Sequence, residues 1–212
     1  MPNLKQWIFT ALFVTDANAA TVSYTGTFTA DDNVRLFTFT LPAANTVTAE
    51  TWSFAGGVNA AGNPIPAGGF SPDVWLFDST GTLLQADSPE SPHHAAPSDC
   101  GPRAVDPATG FCWDAYLKVA LPAGPYTLVL TQDGNVLADG FSLAGAFTEQ
   151  GVSNFTDVLG LGGEFYLPDG LTERDGQWAL DISGIPAAAA PEPGACVAGL
   201  ALLGLLAYRR RR

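Results

Sequence analysis

Apolar and polar residues alternate along most of the chain between residues 20 and 185. The runs Thr21–Thr29, Asn33–Pro42 and Thr46–Gly57 show this alternation and are bounded by Asp, Pro or Gly, residues that favour turns. A period of two is typical of strands that bury one face, whereas an amphipathic helix repeats every 3.6 residues. These runs therefore predict short β-strands separated by turns.

The second half of the chain continues the pattern. Val74–Phe77 is an apolar strand followed by a turn at Asp78–Gly81, which predicts a hairpin. A further turn at Ala123–Pro125 predicts that the strands on either side of it are antiparallel neighbours. The last strand ends near Pro186 and carries Trp178, Leu180 and Ile182 on one face.

The number of strands predicts the architecture. Eight or nine strands in a domain of this size cannot bury both faces of one flat sheet. We therefore expect an all-β fold, with a single jelly-roll-like β-sandwich between residues 20 and 185. The 23 glycines and 16 prolines agree with a chain rich in turns.

The two ends of the chain differ from the middle. Residues 1–19 combine Lys5, an apolar run and the small residues Ala17 and Ala19, which predicts a secretory signal helix with its cleavage site; a buried amphipathic helix is the alternative. Residues 186–194 form an Ala/Pro linker, and residues 195–212 are predicted to be a hydrophobic helix followed by an arginine tail.

The net charge of the domain limits the kinds of partner that it can bind. Between residues 20 and 190 there are four basic residues against nineteen acidic ones. Binding to phosphate needs clustered Lys and Arg, so we expect no nucleic-acid partner. Such acidity fits either a solvated surface or a cation-binding protein.

Two cysteines lie in a long polar loop that begins at Ser88. Cys100 and Cys112 are twelve residues apart in an exported chain, which predicts a disulfide. Closing this loop would stabilise the fold by roughly 2–3 kcal/mol in the chain-entropy model. A zinc site that includes His93 and His94 is the alternative, although the spacing matches no common zinc pattern.

No motif for catalysis is present in the sequence. There is no nucleophile elbow, no zinc-protease motif and no phosphate loop, so we expect no enzyme and no catalytic residues. Aspartates at strand ends and in loops raise the hypothesis of a calcium site, since calcium prefers carboxylate and carbonyl oxygens. The alternative is that these aspartates form turns, because the Asp side chain caps local amides.

The C-terminal tail has three parts in a fixed order. Pro191, Glu192 and Pro193 are followed by an apolar run to Tyr208 and then by Arg209, Arg210, Arg211 and Arg212. This order resembles the PEP-CTERM sorting signal of Gram-negative bacteria. The resemblance implies that an exosortase recognises the Pro191–Pro193 motif and that the protein reaches the cell envelope or the extracellular matrix, in bacteria that make exopolysaccharide.

The apolar run of the tail is short for a permanent membrane span. About fourteen residues of helix span about 21 Å, less than the roughly 30 Å of a bilayer core. The arginines should remain cytoplasmic, which places the domain outside the inner membrane. We therefore expect a transient tether to the inner membrane. Cys196 is either a processing position or a small apolar residue.

The middle of the chain resembles a second group of proteins. Stretches such as "DVWLFDSTGTLL" and "GQWALDI" are similar to an uncharacterised family of PEP-CTERM secreted proteins, and through it to pre-peptidase C-terminal β-sandwich modules. The resemblance implies fold and export rather than a reaction. Some of these modules bind calcium or polymers, which implies a calcium site at Asp31, Asp32, Asp87 and Asp114.

The leading hypothesis is therefore a non-enzymatic exported protein that an exosortase sorts to the envelope or matrix, with exopolysaccharide as a partner and no cofactor. The alternative is a calcium-assisted polysaccharide-binding module in which Trp52, Trp75 or Trp113 stacks on sugar rings, although tryptophan is more often a core residue. A secreted hydrolase is the third reading, and the sequence singles out no carboxylate pair for it.

Overall fold

A computed structural model describes residues 19–87 and 100–186, and these residues form an all-β protein, as predicted. The strands Arg35–Leu41 and Asn45–Thr51 bury alternate side chains, as the period of two requires. The strands are β1 (Ala19–Thr27), β2 (Arg35–Leu41), β3 (Asn45–Thr51), β4 (Gly57–Val58), β5 (Pro64–Ile65), β6 (Pro72–Phe77), β7 (Leu83–Asp87), β8 (Tyr116–Leu121), β9 (Gly124–Gln132) and β10 (Gln177–Pro186).

Eight of these strands form two four-stranded sheets. The first sheet has the order β1-β10-β3-β8 and the second has the order β2-β9-β6-β7. All strand pairs in both sheets are antiparallel. The short strands β4 and β5 pair separately. Because β10 lies between β1 and β3, the last strand of the fold joins two strands from its beginning.

One hydrophobic core contains side chains from both sheets. Trp178, Leu180 and Ile182 of β10 belong to it, which confirms the face predicted for the last strand. The second sheet contributes residues such as Phe37 and Leu128. Full burial of a large apolar side chain contributes roughly 1.5–3 kcal/mol, so this shared core is the main source of stability.

Strand β6 is buried on both faces. Val74 and Leu76 lie in the shared core, whereas Trp75 and Phe77 lie in a second apolar cluster. That cluster also contains Leu137, from the segment that follows β9. The segment therefore covers part of the outward face of the second sheet, which explains why all six residues of β6 are buried.

The hairpin predicted at Asp78–Gly81 is confirmed. β6 and β7 pair antiparallel on either side of this turn. The Asp78 carboxylate accepts hydrogen bonds from the backbone amides of Thr80 (2.8 Å) and Thr82 (3.0 Å). Gly81 has a φ of 81°, a left-handed conformation that glycine adopts at little cost.

The hairpin predicted at Ala123–Pro125 is wrong. β8 pairs with β3 in the first sheet, whereas β9 pairs with β2 and β6 in the second. The short connection therefore carries the chain from one sheet to the other. Leu121 and Tyr126, on either side of it, are both buried in the shared core. Turn residues predict a reversal of direction, but burial decides which strands pair.

The segment between β9 and β10 contains no further strand. It consists of turns, isolated β-bridges and a short 3-10 turn at Leu143–Gly145. The segment is held to loops next to the sheets. Asp31, in the loop after β1, accepts hydrogen bonds from amides of the segment, and Arg174, within the segment, donates hydrogen bonds to carbonyls outside it.

The predicted signal helix, the sorting motif, the hydrophobic helix and the arginine tail lie outside the described residues. The described chain begins at Ala19, the last residue of the predicted signal, and ends at Pro186, the first residue of the predicted linker. These two residues pair in the first sheet. Within residues 19–87 and 100–186, no helix has the length and apolar character that a membrane span requires.

Candidate functional site

A polar groove of about 270 Å³ lies on the outward face of the first sheet. We call it the Trp52 groove. Its side chains combine one aromatic ring, two carboxylates and three hydroxyls: Trp52, Glu50, Asp181, Thr21, Thr48 and Ser183.

The register of three strands brings these polar residues together. Ser183 of β10 pairs with Thr21 of β1 and Thr48 of β3, and Asp181 pairs with Glu50 of β3. Residues directly opposite one another in paired strands point to the same face of the sheet. The residues of β10 that alternate with Asp181 and Ser183 are buried in the core. The first sheet therefore has a polar outward face and an apolar inward face.

Trp52 follows β3 directly and is held in one orientation. Its indole Nε1 donates a hydrogen bond to Oδ2 of Asp181 (2.9 Å). Gly57 of β4 lies against the ring, and a Cβ at this position would lie 2.7 Å from Cε3 of Trp52. Any other residue at 57 would therefore displace the ring. Trp52 lines the groove as a fixed aromatic group.

Asp181 also fixes the wall of the groove. Its Oδ1 accepts a hydrogen bond from the Ser23 hydroxyl (2.5 Å), and its Oδ2 accepts a second one from the amide of Ala60 (2.7 Å). The amide of Ala61 donates to the Ser23 hydroxyl (3.1 Å). The loop between β4 and β5 is thereby tied to the first sheet, so the groove is preorganised.

Glu50 differs from Asp181 in its hydrogen bonding. Within the described residues, no group donates a hydrogen bond to the Glu50 carboxylate. Burial raises the pKa of Glu50, and the nearby carboxylates of Asp181 and Asp114 raise it further. An acceptor that is half-buried and lacks a donor is suited to hydroxyl groups of a ligand.

The two carboxylates of the groove are direct neighbours rather than partners across a cleft. Glu50 and Asp181 face the same side of adjacent strands, where like charges are unfavourable. The Asp181 carboxylate accepts hydrogen bonds from three donors. The residues that line the groove in the described part of the chain include no lysine or arginine. The groove therefore favours uncharged, hydroxyl-rich ligands over anions.

The four aspartates predicted to bind calcium have other partners. Asp31 accepts hydrogen bonds from the amides of Asn154 (2.7 Å) and Thr156 (2.8 Å). Asp32 accepts one from the amide of Gly151 (3.0 Å). These bonds tie the loop after β1 to the segment between β9 and β10.

Asp114 and Asp87 act at the start of β8. The buried Asp114 carboxylate accepts hydrogen bonds from the amides of Ser53 (2.6 Å) and Ala55 (2.8 Å). Asp87 forms an ion pair with Arg103 (3.3 Å) and accepts a hydrogen bond from the amide of Tyr116 (2.7 Å). Residues 19–87 and 100–186 contain no group of three or more acidic, His or Cys side chains arranged to hold a metal. Calcium binding stays a prediction, and an ion would have to displace these donors.

The three tryptophans predicted as sugar platforms have different environments. Trp75 is 6% exposed and donates a hydrogen bond to Thr131, which makes it a core residue. Trp113 is half-buried and stacks on Phe111, with ring centroids 4.5 Å apart. Trp52 is the one of the three that lines the polar groove.

The predicted disulfide between Cys100 and Cys112 is confirmed. Because both sulfurs are joined in it, these cysteines are not zinc ligands in this structure. Arg103 donates to the carbonyl of Cys100 (3.0 Å) and pairs with Asp87, so the disulfide loop is linked to the end of β7. His93 and His94 lie outside the described residues.

A larger groove, of about 890 Å³, lies beside the turn between β6 and β7. It is lined by hydroxyls such as those of Thr38, Thr80 and Thr127, and its carboxylate, Asp78, already accepts hydrogen bonds from the turn. Its volume exceeds that of the Trp52 groove. Its lining among the described residues includes neither a carboxylate without a donor nor a tryptophan, so we regard the Trp52 groove as the stronger candidate.

Of the residues at this site, Trp52 was predicted from the sequence, whereas Glu50, Asp181 and Ser23 were not. A usable signal was present, since Glu50, in β3, lies two residues before Trp52, which follows that strand directly. Asp181 is the one charged residue in the last strand. Neither feature shows that β3 and β10 are neighbours.

A search of protein-family models and a search of curated proteins each gave no match to this chain.

Proposed function

We propose that this chain is a non-enzymatic exported protein that an exosortase sorts to the cell envelope or extracellular matrix, where it associates with exopolysaccharide. Support for export and sorting comes from residues 1–19 and from the Pro191–Pro193 motif with its apolar run and arginine tail. The acidic composition of the domain suits a soluble extracellular protein.

For the fold, we propose a jelly-roll-like β-sandwich similar to pre-peptidase C-terminal modules. Two observations support this proposal. The described residues form two antiparallel four-stranded sheets, and one hydrophobic core draws on both. The crossing of the chain between sheets at Gly124 is also a feature of sandwich folds.

The observation that carries the association with polysaccharide is the Trp52 groove. It combines a fixed aromatic ring with the Glu50 carboxylate, which receives no hydrogen bond from the described residues, and with three hydroxyls. Sugars present hydroxyl donors beside apolar faces, and these features match the groove. A calcium-assisted form of the same function is the alternative.

Sorting is tested by mass spectrometry of the protein purified from its host. We expect a C-terminus close to Pro193 and recovery in the envelope or matrix fraction. The double substitution Pro191→Ala and Pro193→Ala should leave the full tail in place, whereas Pro186→Ala, in the last strand, should be processed normally. An intact Arg212 on the protein from the matrix would contradict the sorting proposal.

Glycan association is tested on an array of neutral and anionic polysaccharides, with and without a calcium chelator. We expect binding to neutral chains that Glu50→Gln weakens and that Glu149→Gln, a matched loss of charge outside the groove, does not. Binding lost only in chelator would favour the calcium-assisted alternative. If no polysaccharide on the array binds, glycan association is contradicted and a structural role is the remaining function. That result would not affect the sorting proposal.

A further inference from the structure

A separate cavity of about 220 Å³ lies at one end of the sheets. It is bounded by the turn that follows β9 and by the loop that contains Phe155 and Tyr166. The cavity shares no lining residue with the Trp52 groove. We call it the Asp133 cavity.

The polar side of the Asp133 cavity presents acceptors without donors. Gln132 is 2% exposed, and its Oε1 accepts no hydrogen bond from the described residues. No described residue donates a hydrogen bond to the Asp133 carboxylate either, and burial raises the pKa of Asp133 to about 6. Gln132 is buried and Asp133 is half-buried, and acceptors withdrawn from water in this way are costly unless a ligand or water supplies donors.

The surroundings of the cavity are acidic. Burial raises the pKa of Tyr166, and the nearby Glu173 and Asp157 carboxylates raise it further. The cavity lining in the described part of the chain includes no lysine or arginine. The electrostatic potential inside therefore favours a cation.

The other side of the cavity is apolar and aromatic. Phe155, Val158, Leu167 and Pro168 line it, and Val158 is 74% exposed at the surface. Aromatic rings attract cations, and exposed aliphatic side chains favour contact with an alkyl chain. The complementary ligand thus has a cationic end and an apolar stem.

The walls are held in place by hydrogen bonds. Asp31 accepts from the amides of Asn154 and Thr156 and from the Thr156 hydroxyl (2.6 Å). The Thr156 hydroxyl oxygen in turn accepts from the amide of Tyr166 (3.0 Å). The loop that carries both aromatic residues is therefore tied to Asp31, in the loop after β1.

We propose that the Asp133 cavity binds a protonated primary amine at the end of an alkyl chain, with the ammonium group donating hydrogen bonds to Gln132 Oε1 and the Asp133 carboxylate. The alkyl chain lies along Phe155 and Val158. A lysine side chain of a partner protein and a free alkylamine share this chemistry. A quaternary ammonium ion lacks the N–H donors, and an alcohol lacks the charge.

Ligand-detected NMR with the full chain at about pH 8, where both charges are present, tests this inference. The probes are n-pentylamine, the lysine analogue Nα-acetyl-lysine methylamide, n-pentanol and tetramethylammonium. We expect the amine to bind at least about tenfold more tightly than n-pentanol or tetramethylammonium. Comparable binding of the lysine analogue indicates a lysine on a polypeptide, whereas binding of n-pentylamine alone indicates a free amine.

Substitutions in the cavity distinguish amine binding at this site from attraction of the amine to the acidic protein as a whole. Asp133→Asn should weaken amine binding at least about tenfold, and Glu149→Gln, which removes the same charge elsewhere, should not. Gln132→Met, which replaces the second acceptor with an apolar side chain of similar length, should also weaken amine binding. Equal binding of amine and alcohol, or unchanged amine binding in both cavity variants, would overturn the proposal. Because the cavity is separate from the Trp52 groove, neither result bears on glycan association.

Discussion

The indole N–H of Trp52 donates to Oδ2 of Asp181 across 2.9 Å, joining the end of β3 to the middle of β10. The same carboxylate binds Ser23 and the amide of Ala60, so a single aspartate connects three strands and the β4–β5 loop. The orientation of the aromatic ring and the stability of the first sheet therefore depend on the same side chain.

Asp181→Ala should destabilise the protein by about 2–4 kcal/mol, because it leaves the donors of Trp52, Ala60 and Ser23 without their acceptor. It should also weaken glycan binding, since Trp52 loses its fixed orientation. Equilibrium unfolding in urea measures the first effect. Glu50→Gln is the matched control: it should retain full stability while losing glycan binding. An Asp181→Ala protein as stable as the wild type would contradict the role of this carboxylate.

Calcium should leave the thermal midpoint unchanged. Asp31, Asp87 and Asp114 already accept hydrogen bonds from amides or from Arg103, and an ion would have to break these bonds. Ligands that bind the native state raise the midpoint with concentration. Thermal melts in calcium and in chelator provide the measurement, with magnesium as the control for ionic strength. A midpoint that rises with calcium alone would support the calcium site predicted from the sequence.

Replacing both Cys100 and Cys112 with alanine should lower the free energy of unfolding by roughly 2–3 kcal/mol. The disulfide joins residues twelve positions apart and thereby restricts the conformations of the unfolded chain. Urea denaturation of the double variant measures the loss, and the wild type under reducing conditions should match it. Equal stability of the variant and the oxidised wild type would show that the disulfide does not stabilise the fold.

Much of the fold could be predicted from local patterns. Alternation identified β1, β2, β3 and β10, and the faces of Trp178, Leu180 and Ile182 followed from the same period. These properties depend on neighbouring residues in the chain. The disulfide was also predictable, because its two cysteines are close in sequence and lie in a chain whose first residues predict export.

The groove could not be predicted in the same way. Ser23 and Asp181 are hydrogen-bonded although 158 positions separate them, and no local pattern specifies that pairing. The turn at Gly124 shows the same limit, since its residues indicate a reversal but not a change of sheet. Sites built from the register of distant strands become visible only when the strand order is known.

Asp133→Asn should raise stability at pH 7 by about 2 kcal/mol. Burial raises the pKa of Asp133 to about 6, above its value of about 3.9 in an unfolded chain, so the native state binds more protons between these two values. The contribution of Asp133 to stability is therefore greatest below pH 4 and is lost as the pH rises to 6. Burial also raises the pKa of Asp73, so this residue likewise lowers stability as the pH rises. Between pH 4 and 7, the free energy of unfolding measured in urea should fall less steeply for Asp133→Asn than for the wild type. Glu149→Gln is the control. A variant no more stable than the wild type at pH 7 would show that the Asp133 carboxylate is solvated, and would also weaken the case for the amine cavity.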